Sequence, residues 1–172
     1  MLKLKPYEKK DAELLIRWLK NEITFRYWCT DTYEKFPPTE TEINAFYASW
    51  GNHIKVFTAF DGESPVGHIT MRYLDESKEE IRCGFILVDG EKRGKGYGKE
   101  MLRLALRYAF DVLQVNAVTI GVFEQNIAAR CLYETLGFTE TGEVKISHFF
   151  GETWHYPILK MERNHERSDL SL

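Results

Sequence analysis

Apolar and polar residues alternate from Leu2 to Tyr7, which predicts a short first strand. Asp11 then precedes Leu14, Leu15, Trp18 and Leu19, a helical spacing with one apolar face behind a capping carboxylate. Residues 21–38 show neither period; they are rich in aromatics, read as irregular and end at Pro37-Pro38. Thr39 and Glu42 have capping-box spacing, so a second helix is expected to run to about Trp50. A meander follows: Val56 to Phe60, a turn at Asp61-Gly62, Val66 to Leu74, and Ile81 to Val88. In Val66 to Leu74, Ile69, Met71 and Tyr73 take one face and His68, Thr70 and Arg72 the other. Phe85-Ile86-Leu87-Val88 is apolar on both faces, which places its strand centrally in a sheet.

From about Gly98 to Leu113 the period is helical, with Met101, Leu102, Ala105, Ala109 and Val112 as the core stripe. Val118 to Phe123 reads as another buried strand. Asn126 opens a helix that Gly137 ends. Two late strands, around Glu143–Phe150 and Trp154–Met161, complete the order β-α-α-β-β-β-α-β-α-β-β, a mixed α/β domain over 1–162. Residues 163–172 are polar and read as a frayed tail.

Composition narrows the function. The 172 residues carry a net charge of −3, so no general basic surface recommends nucleic acid or a membrane as partner. Cys29, Cys83 and Cys131 form no CxxC pair, and neither a metal site nor a disulfide framework is expected. The short polar start is no signal peptide, and no apolar run approaches the ~20 residues of a membrane span, which makes the cytoplasm the default location.

The chemistry is concentrated between the third meander strand and the following helix. Arg93-Gly94-Lys95-Gly96-Tyr97-Gly98 joins them, flanked by Lys92 and Lys99. A helix N-terminus offers unpaired N–H groups and partial positive charge, and glycines let a bulky diphosphate approach the backbone. A flexible basic surface loop is the plainer reading of such a turn. The P-loop pattern is absent, and the third glycine falls too early for a dinucleotide fingerprint.

The segment Asn126-Ile127-Ala128-Ala129-Arg130-Cys131-Leu132-Tyr133-Glu134-Thr135-Leu136-Gly137-Phe138, with Arg93-x-x-Gly96-x-Gly98 upstream, resembles the GNAT superfamily of acyl-CoA-dependent N-acetyltransferases. The likeness is closest from Ile81 to Phe138. Trp18 to Trp28 and Gly151 to Tyr156 look most like the RimJ/RimL-type branch. The resemblance implies a central twisted sheet of about seven strands, mixed but largely antiparallel, flanked by four helices. It implies acetyl-CoA as cosubstrate and no metal. Ile86, Leu87 and Val88 would pair with pantetheine amides like an added strand. Residues 93–99 (Arg93, Gly94, Lys95, Gly96, Tyr97, Gly98 and Lys99) would hold the pyrophosphate. Asn126, Arg130 and Tyr133 would join the coenzyme contacts. Tyr133 would stand near the sulfur as general acid, and a main-chain N–H, at Val88 for example, would face the oxyanion. Asn126 as a plain N-cap and Tyr133 as a packed residue are the structural alternatives.

An acceptor amine with a pKa near 10.4 is unprotonated in only about one molecule in 2,500 at neutral pH, so a base or water chain is expected. The ribosomal pattern of a carboxylate five residues before the asparagine meets Gly121 here. Glu80, with Glu79 beside it, is the tentative base; His68 and Glu124 are weaker candidates. Tyr27, Trp28, His68 and Trp154 are candidate acceptor contacts, with His148 and Tyr156 as further walls. Aromatic faces suit a cationic amine, although core packing explains each residue singly. The expected acceptor is a small-molecule or peptide amine: a protein N-terminus, a polyamine, an aminoglycoside or another small amine. A non-catalytic acyl-CoA sensor is the alternative, and a nucleotide module or cysteine hydrolase fits less well. A homodimer through the late strands is compatible with such a fold.

Overall fold

The computed structural model describes residues 1–164. Seven strands form one sheet in the order β1-β2-β3-β4-β5-β7-β6. They are β1 (Leu2–Pro6), β2 (Ile54–Asp61), β3 (Ser64–Tyr73), β4 (Glu80–Val88), β5 (Ala117–Gly121), β6 (Thr139–Phe149) and β7 (Glu152–Glu162). Among the described residues only β4 and β5 pair in parallel, and the other pairings are antiparallel. The mixed, largely antiparallel sheet expected from the sequence is therefore present.

Five helices cover it: α1 (Ala12–Trp18), α2 (Glu22–Cys29), α3 (Glu40–Ser49), α4 (Tyr97–Arg107) and α5 (Ile127–Leu136). The sequence reading allowed four, because residues 21–38 read as irregular. Asn21 accepts a hydrogen bond from Thr24 N and caps α2, which buries Phe25, Trp28 and Cys29. Their i, i+3, i+4 spacing was the overlooked signal. The capping box of α3 forms as expected, Thr39 Oγ1 accepting from Glu42 N and Glu42 accepting from Thr39 N. Asp11 is used differently: its carboxylate accepts from Glu8 N and from the buried Thr58 hydroxyl, and gives α1 no cap.

Two cores sit on opposite faces. Helices α4 and α5 pack over Ile69, Met71, Ile81, Cys83, Val118 and Ile120. Helices α1, α2 and α3 enclose an aromatic core that reaches the sheet at Ile54, Phe85 and Leu87. Burial of both faces explains why His68 and Thr70, the polar side of β3's alternation, are also buried. Val112, expected in the α4 stripe, is exposed. After Arg107 the helix widens into a π turn, with Leu113 N bonded to Tyr108 O, and the extra residue rotates Val112 off the core face. Of the expected polar tail, residues 165–172 lie outside the described residues; Arg163 is tied to Asn116 and Gln114.

Candidate active site

The parallel pair that carries the site is short. β4 pairs with β5 only from Glu80 to Cys83, against Ala117 to Ile120. Beyond Cys83 its register with β3 slips from Thr70↔Gly84 to His68↔Leu87, so Phe85 and Ile86 together oppose Ile69. This is a β-bulge, and Phe85 takes a φ of 48° within it, an unfavourable value for a residue with a side chain. Trp28 Nε1 donates to Phe85 O at 3.1 Å and anchors the bulge from α2. The bulge bends β4 away from β5, which stops at Gly121. Residues 84–88 consequently have no strand neighbour on that side.

A cleft of about 790 Å³ fills the gap and passes through the sheet. Gly98, Asn126, Ala129, Leu132 and Tyr133 line it from the α4–α5 side. Tyr27, Trp28, Phe46 and Trp50 line it from the α2–α3 side, with Arg72 and Arg82 on the floor. A molecule entering from one face can thus meet a molecule entering from the other.

The glycine-rich turn closes the first side. Gly94 and Gly96 have φ of 75° and 84°, a left-handed conformation that a side chain resists. Nothing lies within 4 Å of where a Cβ would stand at either position, so backbone is exposed to a ligand there. Tyr97 begins α4, and its first amides have no acceptor within the helix. Arg93, Gly94, Gly96, Tyr97, Gly98 and Lys99 all face the cleft, whereas Lys95 does not. Lys92 donates to Ser64 Oγ and Pro65 O, and the Tyr97 hydroxyl donates to Asp61. The open amides, the positive charge and the unpaired β4 edge together fit a long ligand ending in a diphosphate.

Tyr133 is almost buried, and its hydroxyl makes no hydrogen bond among the described residues. Burial pushes its pKa well above the ordinary phenol value, and Cys83 adds to the shift, so the proton stays on throughout the neutral range. Asn126 lines the cleft and caps α5, its Oδ1 accepting from Ala129 N at 3.4 Å. Ile86, Leu87 and Val88 also face the cleft.

Other expected site residues lie elsewhere. Arg130 points away from the cleft and pairs with Glu134 and Glu140. Glu80 is bound by Lys160 at the far end of β4 and does not line the cleft, so its position argues against the base role. His68 is wholly buried, with Nε2 bonded to the Tyr47 hydroxyl, and burial lowers its pKa to about 3. It is a neutral packing residue out of reach of an acceptor. Trp154 packs with Phe123 and Phe149 in a small cluster behind the cleft, whereas Tyr27, Trp28 and Tyr156 reach the cleft itself. No Asp, Glu or His side chain lines the cleft among the described residues. Arg72 and Arg82 were the residues that sequence reading missed as site residues. Their adjacency depends on β3–β4 register, which no local motif encodes.

Comparisons with known proteins agree with this architecture. The family model described as acetyltransferase (GNAT) domain matches residues 1–139. Spermidine N(1)-acetyltransferase of Vibrio cholerae is 28% identical over 153 residues, covering 87% of this chain and 84% of that protein. Spermidine N(1)-acetyltransferase of Escherichia coli K12 is 28% identical over 164 residues, covering 91% and 83%. The solved structure of the Vibrio cholerae spermidine N-acetyltransferase in complex with CoA and spermine shares the fold. Its TM-score is 0.79 at 23% identity, covering 94% of this chain and 95% of that one.

Proposed function

The chain belongs to the GNAT acetyltransferase family, whose members transfer an acetyl group from acetyl-CoA to an amine, and on that premise we propose direct transfer to a small-molecule primary amine held in the gap between β4 and β5. The observation that carries this reading is the two-sided cleft. Its α4–α5 side fits a coenzyme, its α2–α3 side is open to an acceptor, and the Phe85 bulge lies between them.

When bound, acetyl-CoA supplies an activated acyl carbonyl and a thiolate leaving group. The unpaired edge of β4 at Ile86, Leu87 and Val88 receives the pantetheine amides, and an N–H on this edge polarises the carbonyl oxygen. The turn at Arg93, Gly94, Gly96, Tyr97, Gly98 and Lys99 receives the pyrophosphate. Asn126 keeps α5 aimed at the cleft through its cap. Tyr133 presents its hydroxyl proton to the departing sulfur. Its raised pKa exceeds that of a thiol, so most of its effect is a hydrogen bond to the developing thiolate rather than an outright transfer. Among the described residues no carboxylate or imidazole lines the cleft, and the proposed route for the acceptor's proton is to solvent. Arg72 and Arg82 favour the neutral amine by repelling its charged form.

The names of the relatives raise a polyamine as acceptor, but the acceptor side of this cleft carries cationic rather than anionic side chains. The RimJ/RimL-type likeness adds peptide N-termini to the amines worth testing. A non-catalytic acyl-CoA sensor has no observation in its favour.

Thiol release from acetyl-CoA tests the proposal. Release should depend on an added primary amine. Tyr133→Phe should lower kcat by about tenfold to a hundredfold while leaving the acetyl-CoA KM nearly unchanged. Undiminished kcat in that variant removes Tyr133 from the chemistry.

A further inference from the structure

We propose that the acceptor amine also carries a carboxylate, and that Arg72 and Arg82 on the cleft floor bind it. The inference rests on the acetyl-transfer reading and names the substrate class of that same site.

Arg72 and Arg82 are direct partners in the β3–β4 register, so both project from one face of the sheet. That face is the one under α2 and α3, since the Arg72 guanidinium lies over the Trp50 ring at 4.6 Å. Like charges placed opposite one another are destabilising. Burial, and then Arg82, lowers the pKa of Arg72. Among the described residues neither arginine has a carboxylate within salt-bridge reach. Arg82 donates Nε–H to Thr119 Oγ1 at 3.2 Å, which leaves its two terminal amino groups open. The Arg72 guanidinium makes no hydrogen bond among the described residues. The acidic residue nearest Arg82 in sequence, Glu80, is bound by Lys160.

Two half-buried guanidinium groups without a protein anion match the planar two-oxygen geometry of a carboxylate. The pyrophosphate is too far away to serve. Six residues separate Arg82 from Val88, roughly 20 Å along a strand. The bulge at Phe85 is three residues from Arg82, roughly 10 Å along the strand. A carboxylate held at the arginine pair therefore leaves the amine of an amino acid facing the bulge, where the acyl carbonyl is presented. Lys145 lines the same side, with Glu143 3.9 Å away. Among the described residues no acidic side chain lines the cleft to hold a second or third ammonium group, so a polycation is disfavoured.

The test measures thiol release with acetyl-CoA for free amino acids, for their carboxamides and for spermidine. Each acid and its carboxamide differ in one charge. The acids should exceed the carboxamides and spermidine in kcat/KM by about tenfold or more. Arg82→Gln and Arg72→Gln should each shrink the acid-to-carboxamide ratio, chiefly through the KM for the acid, with the KM for acetyl-CoA little changed. Thermal melts identify a variant that fails to fold, and the wild-type ratio stands without either variant. A wild-type ratio near one, or a preference for spermidine, keeps acetyl transfer and overturns the anionic acceptor. A ratio unaltered in both folded variants overturns the arginine assignment. Thiol release with no amine overturns both this inference and the function on which it rests.

Discussion

Tyr133 and His68 are both buried, and burial moves their pKa values in opposite directions because it penalises whichever form is charged. For Tyr133 the neutral, protonated form is kept. The wild-type rate should therefore show no alkaline loss from this group below about pH 10, the ordinary tyrosine value. A pH–rate profile checks this; a limb near pH 8 or 9 that vanishes in Tyr133→Phe would contradict it. For His68 the neutral form is kept down to about pH 3 in the fold, against 6.5 for the ordinary side chain. Between those values the unfolded chain binds a proton that the native chain refuses, so stability falls as pH drops through 6.5. The slope should approach about 1.4 kcal/mol per pH unit. Urea midpoints measured from pH 7 to pH 4 should show the decline, and His68→Gln should flatten it. Sequence alternation on β3 placed His68 opposite the Ile69–Met71 face, but it could not show that Tyr47 of α3 covers that face too. A side chain read as an acceptor contact is for that reason a core residue.

Elements whose signals are local were the legible ones. The Thr39–Glu42 box, the Asp61-Gly62 turn and the Asn126 cap each depend on backbone groups a few residues away. What escaped depends on partners distant in sequence. The bulge at Phe85 is a matter of register against β3 and of the bond from Trp28, 57 residues earlier. Arg130 matched the family's motif by position, yet Glu140, at the start of β6, draws it out of the site. The glycine turn was legible as the break between β4 and α4, and its φ values say which position is most demanding. Gly96, at 84°, sits directly before α4 with open space where a side chain would go. Gly96→Ala should cost about 1–2 kcal/mol through backbone strain alone. In a domain of this size that lowers Tm by roughly 2–8 °C. Calorimetry should show that loss together with a weakened stabilisation by acetyl-CoA. An unchanged Tm would mean the turn does not need its left-handed residue.

Across the whole molecule, one irregularity organises the fold. A continuous β4–β5 pairing would seal the sheet and separate the α4–α5 face from the α1–α3 face. The bulge opens the sheet instead, and in the proposed reaction coenzyme and acceptor meet in that gap. The succession of strands along the chain follows from the alternation of apolar runs and turns; their order in the sheet, with β7 between β5 and β6, does not. The passage through the sheet does not, because strand separation leaves no mark in composition or period. Stoichiometry tests that passage most directly. Acetyl-CoA is incubated with a free amino acid and the protein, and mass spectrometry quantifies both free CoA and the N-acetylated amine. Equal amounts of the two products, formed only with protein present, are the predicted result. Free CoA without acetylated amine, or neither product, would contradict transfer across the gap between β4 and β5.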